Sequence, residues 1–87
     1  MLKDVDAKAR HLLLAQLTRT ERHISADAEH VLRQESIVEA LERRGEDATF
    51  ARSLLRHLKE MQAMRIADRD RMRAALRGFD GLPDSEA

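Results

Sequence analysis

The stretch Arg43-Arg44-Gly45-Glu46-Asp47 stands at the middle of the chain and decides how the rest is read. Glycine just past a helix adopts the left-handed conformation without a Cβ penalty, and so closes the helix. Arg43 and Arg44 fall in the preceding last turn, where cations complement the negative end of the helix dipole. Asp47 can accept a hydrogen bond from the first free N–H groups of a following helix, with Glu46 also near its positive end. So short a link between two helices predicts an antiparallel hairpin.

The composition agrees. Aromatic residues are 2% of the 87, charged residues 37%, and there is no Trp, Tyr or Cys. That is the make-up of long helices and coiled coils. Lys plus Arg equals Asp plus Glu at 16 each, and each side of Gly45 carries eight of either sign. No net field draws the chain to nucleic acid or to anionic lipid. Without cysteine there are no disulfides and no thiolate metal ligands. Leu12-Leu13-Leu14-Ala15 is too short and too closely flanked by charge to serve as a signal-peptide core, and no run approaches the ~20 apolar residues of a membrane span. The expectation is a cytoplasmic protein with no membrane partner.

The first helix is expected over residues 4–44, capped by Asp4 or Asp6, after a frayed Met1 to Lys3. At 1.5 Å per residue it reaches roughly 60 Å. Leu17, Ile24, Val31 and Val38 recur every seven residues, which favours supercoiling with a partner helix. The turn is expected at 45–47 and the second helix over 48–77, with a stripe that includes Leu54, Leu58, Met61 and Met72. Gly78, Gly81 and Pro83 are stop signals, and the small polar tail 80–87 reads as disordered. The folded unit is thus a hairpin over 1–79. A lone hairpin leaves much of each apolar face wet, and oligomerisation is the staple open to so small a scaffold. The predicted architecture is all-α: an antiparallel two-helix hairpin that dimerises into a four-helix bundle or coiled coil.

Both stripes are interrupted by a polar belt. Glu21, Asp27 and Glu35 interrupt the first helix, and Arg65 and Arg69 the second. Folding about Gly45 sets Arg65 across from Asp27, and Arg69 across from the turn of Glu21 to His23. This is a charge-complementary register. The plain reading is a register device, since buried ionic layers specify partners more than they add stability. The sharper reading is a metal site. His23, Asp27 and His30 share a helix face, and Asp27-Ala28-Glu29-His30 has the Glu-x-x-His spacing of di-metal bundles with Asp in place of Glu. Asp68 would approach from the second helix. Arg65 at the same level argues against it, and no cofactor is assigned.

No nucleophile–base pair is evident, because Ser25, Ser36 and Ser53 are mid-helix, and there is no Gly-rich phosphate loop. An enzyme is therefore not expected. The run Arg65, Arg69, Arg71, Arg73, Arg77 is basic but spreads around its helix, so nucleic-acid binding is disfavoured.

The phrases Glu21-Arg22-His23-Ile24, Val31, Arg33-Gln34, Ile37-Val38, Leu41-Glu42-Arg43, Gly45 and Asp47 resemble a group of short bacterial proteins, as do Leu54-Leu55, Gln62 and Ile66-Ala67-Asp68-Arg69-Asp70-Arg71. The likeness covers about residues 16–77. Those proteins are uncharacterised helical hairpins, so the resemblance implies a fold and no chemistry. The functional expectation is a non-enzymatic helical oligomerisation and protein-interaction module. It is predicted to be a homodimer and to have room for another protein partner. A carboxylate–histidine metal-binding bundle and a small nucleic-acid-associated regulator are the alternatives.

Overall fold

A computed structural model describes residues 2–80. The expected disorder of 80–87 falls, beyond Asp80, outside the described residues, as do the side chains of Met1 to Lys3. Two helices, α1 (Leu2–Arg43) and α2 (Thr49–Phe79), pack against each other as an antiparallel hairpin. Among the described residues there is no strand. The molecule is a rod of 65 × 29 × 14 Å. Its radius of gyration is 19.0 Å, against about 12 Å for a compact chain of this length. No helix is long and apolar enough to cross a membrane.

The turn forms as its residues dictate. Gly45 sits at φ +69°, in the left-handed region. Its N–H donates to the Glu42 carbonyl at 3.1 Å, and the Glu46 N–H donates to the Leu41 carbonyl at 2.9 Å. This is the Schellman closure, which satisfies two carbonyls left over at the end of α1. On the far side, Asp47 Oδ1 accepts from the Thr49 N–H at 3.0 Å and from the Thr49 hydroxyl at 2.7 Å. The Thr49 bonds hold the Asp47 carboxyl below its usual range. Ala48, not Asp47, occupies the cap position itself, and it is the most buried residue of the core at 2% exposure. At the other end, α1 begins ahead of the expected caps. Asp4 lies inside its first turn, where its charge still suits the dipole.

The seam is a heptad seam. On α1 the inward positions are Leu13, Leu17, Thr20, Ile24, Asp27, Val31, Gln34, Val38 and Leu41, in alternating steps of four and three. On α2 they are Ala48, Ala51, Leu55, Leu58, Gln62, Arg65, Arg69, Met72 and Leu76. The alternation of three and four is the left-handed coiled-coil repeat. The core is thin. Val31, Val38, Ala48 and Ala51 are its buried apolar members, all in the loop half. Two of them are alanines, and their small size lets the helices approach closely beside the turn. Leu54 and Met61, expected in the stripe, lie beside the seam and not in it. The seam runs through Leu55, which the sequence also places in the stripe, and through Gln62.

Candidate functional site

The polar belt lies along the seam of the hairpin. Arg65 Nε stands 3.0 Å from Asp27 Oδ2, with the side chains 32% and 16% exposed. The two buried atoms are close, but the N–H does not point along the line between them, so neither makes an aligned hydrogen bond. The contact is an ion pair held by charge. Two seam layers toward the loop, buried Gln34 donates from Nε2 to the Ala51 carbonyl at 3.1 Å. Two layers the other way, the Thr20 hydroxyl donates to Met72 Sδ at 3.7 Å. Thr20, Asp27 and Gln34 thus occupy every other seam layer of α1, each with a partner on α2.

Arg69 lies in the seam but does not take Glu21. It bonds Asp70, its own neighbour, at 3.0–3.1 Å. Arg73, one turn further on, takes Glu21 at 3.0 Å. The reason is phase: Arg69 belongs to the seam, whereas Arg73 and Glu21 both flank it on one side. Glu35 pairs with Lys59 at 3.4 Å and Glu42 with Arg52 at 2.7 Å on that same side. These three bridges step by seven residues along each helix. Half-buried Ala28 and Ile66 fill the missing rung, beside Asp27 and Arg65. Every acid in the ladder is on α1 and every base on α2. Exposed bridges contribute about 0–1 kcal/mol apiece, and a one-heptad slip would leave one acid–base rung in place of three.

The metal reading finds no support in this arrangement. Asp27 is turned onto a guanidinium, His23 and His30 are exposed, and Asp68 is paired with Arg71. Among the described residues no three His, Asp or Glu side chains come together as a ligand set. Ser36 Oγ donates back to the Leu32 carbonyl of its own helix.

The opposite flank is different. No bridge spans it. It carries shallow hollows, one among Thr20, His23, Met61, Met64, Arg65 and Asp68 and one among His30, Arg33, Gln34, Ile37, Leu54 and Leu58. A third lies near the free end, between Phe79 and Leu12, Gln16 and Arg19. The large apolar side chains left exposed between Leu12 and Phe79 gather here: Leu12, Ile37, Phe50, Leu54, Met61, Met64 and Phe79, with Leu32 alone on the bridged side. Phe50 is 80% exposed and Met64 64%. Heptad phase accounts for this. Ile37, Leu54 and Met61 occupy the flanking position opposite the ladder, and Leu12, Phe50 and Met64 the next position out. The signal was present in the sequence as apolar residues off the main stripe, but only the packed seam tells which side they share.

No family model, no curated protein and no solved structure matches this chain.

Proposed function

We propose that this chain is a non-enzymatic helical interaction module that works as a homodimer, two hairpins closing on their open flanks to make a four-helix bundle. The observation that carries the reading is the contrast between the two flanks. One is sealed by three ion pairs, and the other exposes seven large Leu, Ile, Met and Phe side chains. Monomeric proteins seldom expose apolar patches of several hundred Å² unless something binds them. The accessible surface supports the same reading: 6853 Å², against about 5,200 Å² for a compact monomer of this mass. The seven exposed side chains offer on the order of 700 Å² per copy, close to the ~800 Å² per partner of a standard stable interface. A flexible Met pair at its centre suits adaptable packing.

Multi-angle light scattering on the eluting protein tests the proposal. A mass of twice the 10.0 kDa chain at micromolar concentration is the expected result. A well-folded monomer throughout that range would rule it out.

A further inference from the structure

We infer that a second copy docks on this flank with both hairpins pointing the same way, the two turns at one end and α1 of each copy lying against α2 of the other. The inference rests on the dimer reading above and adds the arrangement, which that reading leaves open.

The first observation is the charge of the flank. On α1 its charged residues are Arg19 and Arg33, with His23 and His30 between them and no acid, and Arg44 of the turn continues the row. Arg19 and Arg33 are exposed, and neither has an ion-pair partner among the described residues. The acids of the flank are Asp68 of α2, already paired with Arg71, and Asp47 of the turn, with His57 as the other basic side chain on the α2 side. An antiparallel dimer of this face lays α1 along α1 of the other copy. That sets two basic rows against each other in a drying interface, where like-charge juxtaposition is strongly unfavourable. A dyad along the bundle axis avoids it. Each basic row then runs beside an α2 that carries acid, and Arg19 comes within a turn of the second copy's Asp68.

The second observation is the position of the apolar row. Ile37, Phe50, Leu54, Met61 and Met64 all lie in the loop half of the rod. Full antiparallel overlap would set them against the free-end half of the other copy, where Gln16, Arg19, Arg71 and Ala75 face outward. A staggered antiparallel overlap would match the loop halves but leave Leu12 and Phe79 uncovered. The parallel arrangement matches loop half to loop half and free end to free end at once. Since α1 and α2 are themselves antiparallel, every neighbouring pair in the resulting bundle is antiparallel, as in up-and-down bundles with short loops.

Pulsed dipolar spectroscopy on the full chain decides the arrangement. The chain has no cysteine, so His11→Cys and Glu46→Cys each give one label per copy, at exposed positions away from the flank. The two sites lie 35 residues apart along α1 and its turn, roughly 50 Å at 1.5 Å per residue. With interaxial distances of ~8–10 Å, a parallel bundle gives label-to-label distances below about 40 Å at both sites. An antiparallel bundle of any stagger gives a distance of about 50 Å or more at one of them at least. Two short distances are the expected result. One long distance overturns this arrangement while the dimer stands. Absence of dipolar modulation together with a monomer mass overturns the dimer reading and this inference with it.

Discussion

Asp27 and Arg65 face each other across the seam with 3.0 Å between Oδ2 and Nε, at the level where the thin apolar core gives way to polar layers. Both interacting atoms are buried, while the side chains as wholes stay partly open to water. The pair therefore lies between an exposed bridge, worth under about 1 kcal/mol, and a fully buried one, whose breaking costs about 3–5 kcal/mol. Arg65→Ala is expected to destabilise by about 1–3 kcal/mol, because it strands a half-buried carboxylate. Replacing both residues with Leu is expected to be neutral or stabilising. Urea unfolding of the two single variants and the double variant gives the coupling energy. A value near zero would mean the pair plays no part in register.

Gly45 is needed for its backbone and not for its size. A Cβ at this position would meet nothing within 4 Å, yet φ is +69°. Gly45→Ala is expected to cost about 1 kcal/mol, and Gly45→Asn less. D-Alanine placed there by chemical synthesis fits the left-handed region and restricts the unfolded chain, so it is expected to raise the melting temperature. An L-alanine variant as stable as the parent would contradict the assignment.

Asp47 links the turn to pH. Its carboxyl is held below the ordinary range by the hydroxyl and N–H of Thr49. A group whose pKa is lower in the folded state than in the unfolded state stabilises the fold above the unfolded value. That contribution is lost as the pH falls through the folded value. The melting-temperature gap between the parent and Asp47→Ala is thus expected to be full at neutral pH and to close in the acid range, below pH ~4. Thermal melts of both proteins from neutral to acid pH check this, and a gap that persists unchanged into strong acid would count against the bond.

The thin core makes its few buried members costly to trim. Val31 is 8% exposed and Leu32, its neighbour, 65%. Val31→Ala is expected to destabilise by about 1.5–2.5 kcal/mol and Leu32→Ala by under about 0.5 kcal/mol. Equal losses in chemical denaturation would mean that α1 presents a different face to α2.

Much of this fold can be read directly from the residues, for reasons that differ along the chain. Gly45 and Asp47 act locally, so their roles follow from identity and spacing. Leu17, Ile24, Val31 and Val38 form an unbroken seven-residue line, so the α1 seam follows as well. On α2 the line is ambiguous. Leu54-Leu55 offers two phases, Ala48 and Ala51 carry little hydrophobic signal, and Gln62, Arg65 and Arg69 sit where apolar residues are expected. The sequence therefore offers both phases at once, Leu54 and Met61 beside Ala51 and Leu55, and does not show that Glu21 pairs with Arg73. Asp27 is the acid that the stem of Arg65 reaches in either phase. The contrast between flanks depends on which helix face meets which, and that is settled only by packing.

The central claim is that the flank of Leu54 and Met64 joins two copies, and sedimentation equilibrium of matched charge variants tests it most directly. Leu54→Glu and Met64→Glu place a carboxylate on the open flank, and Leu32→Glu places one on the bridged side at an exposure that matches Met64. With helical circular dichroism retained in all three, Leu32→Glu is predicted to keep twice the chain mass and the other two to fall to 10.0 kDa. Dissociation by Leu32→Glu with the flank variants still dimeric would contradict it, as would a parent protein that is monomeric at every concentration.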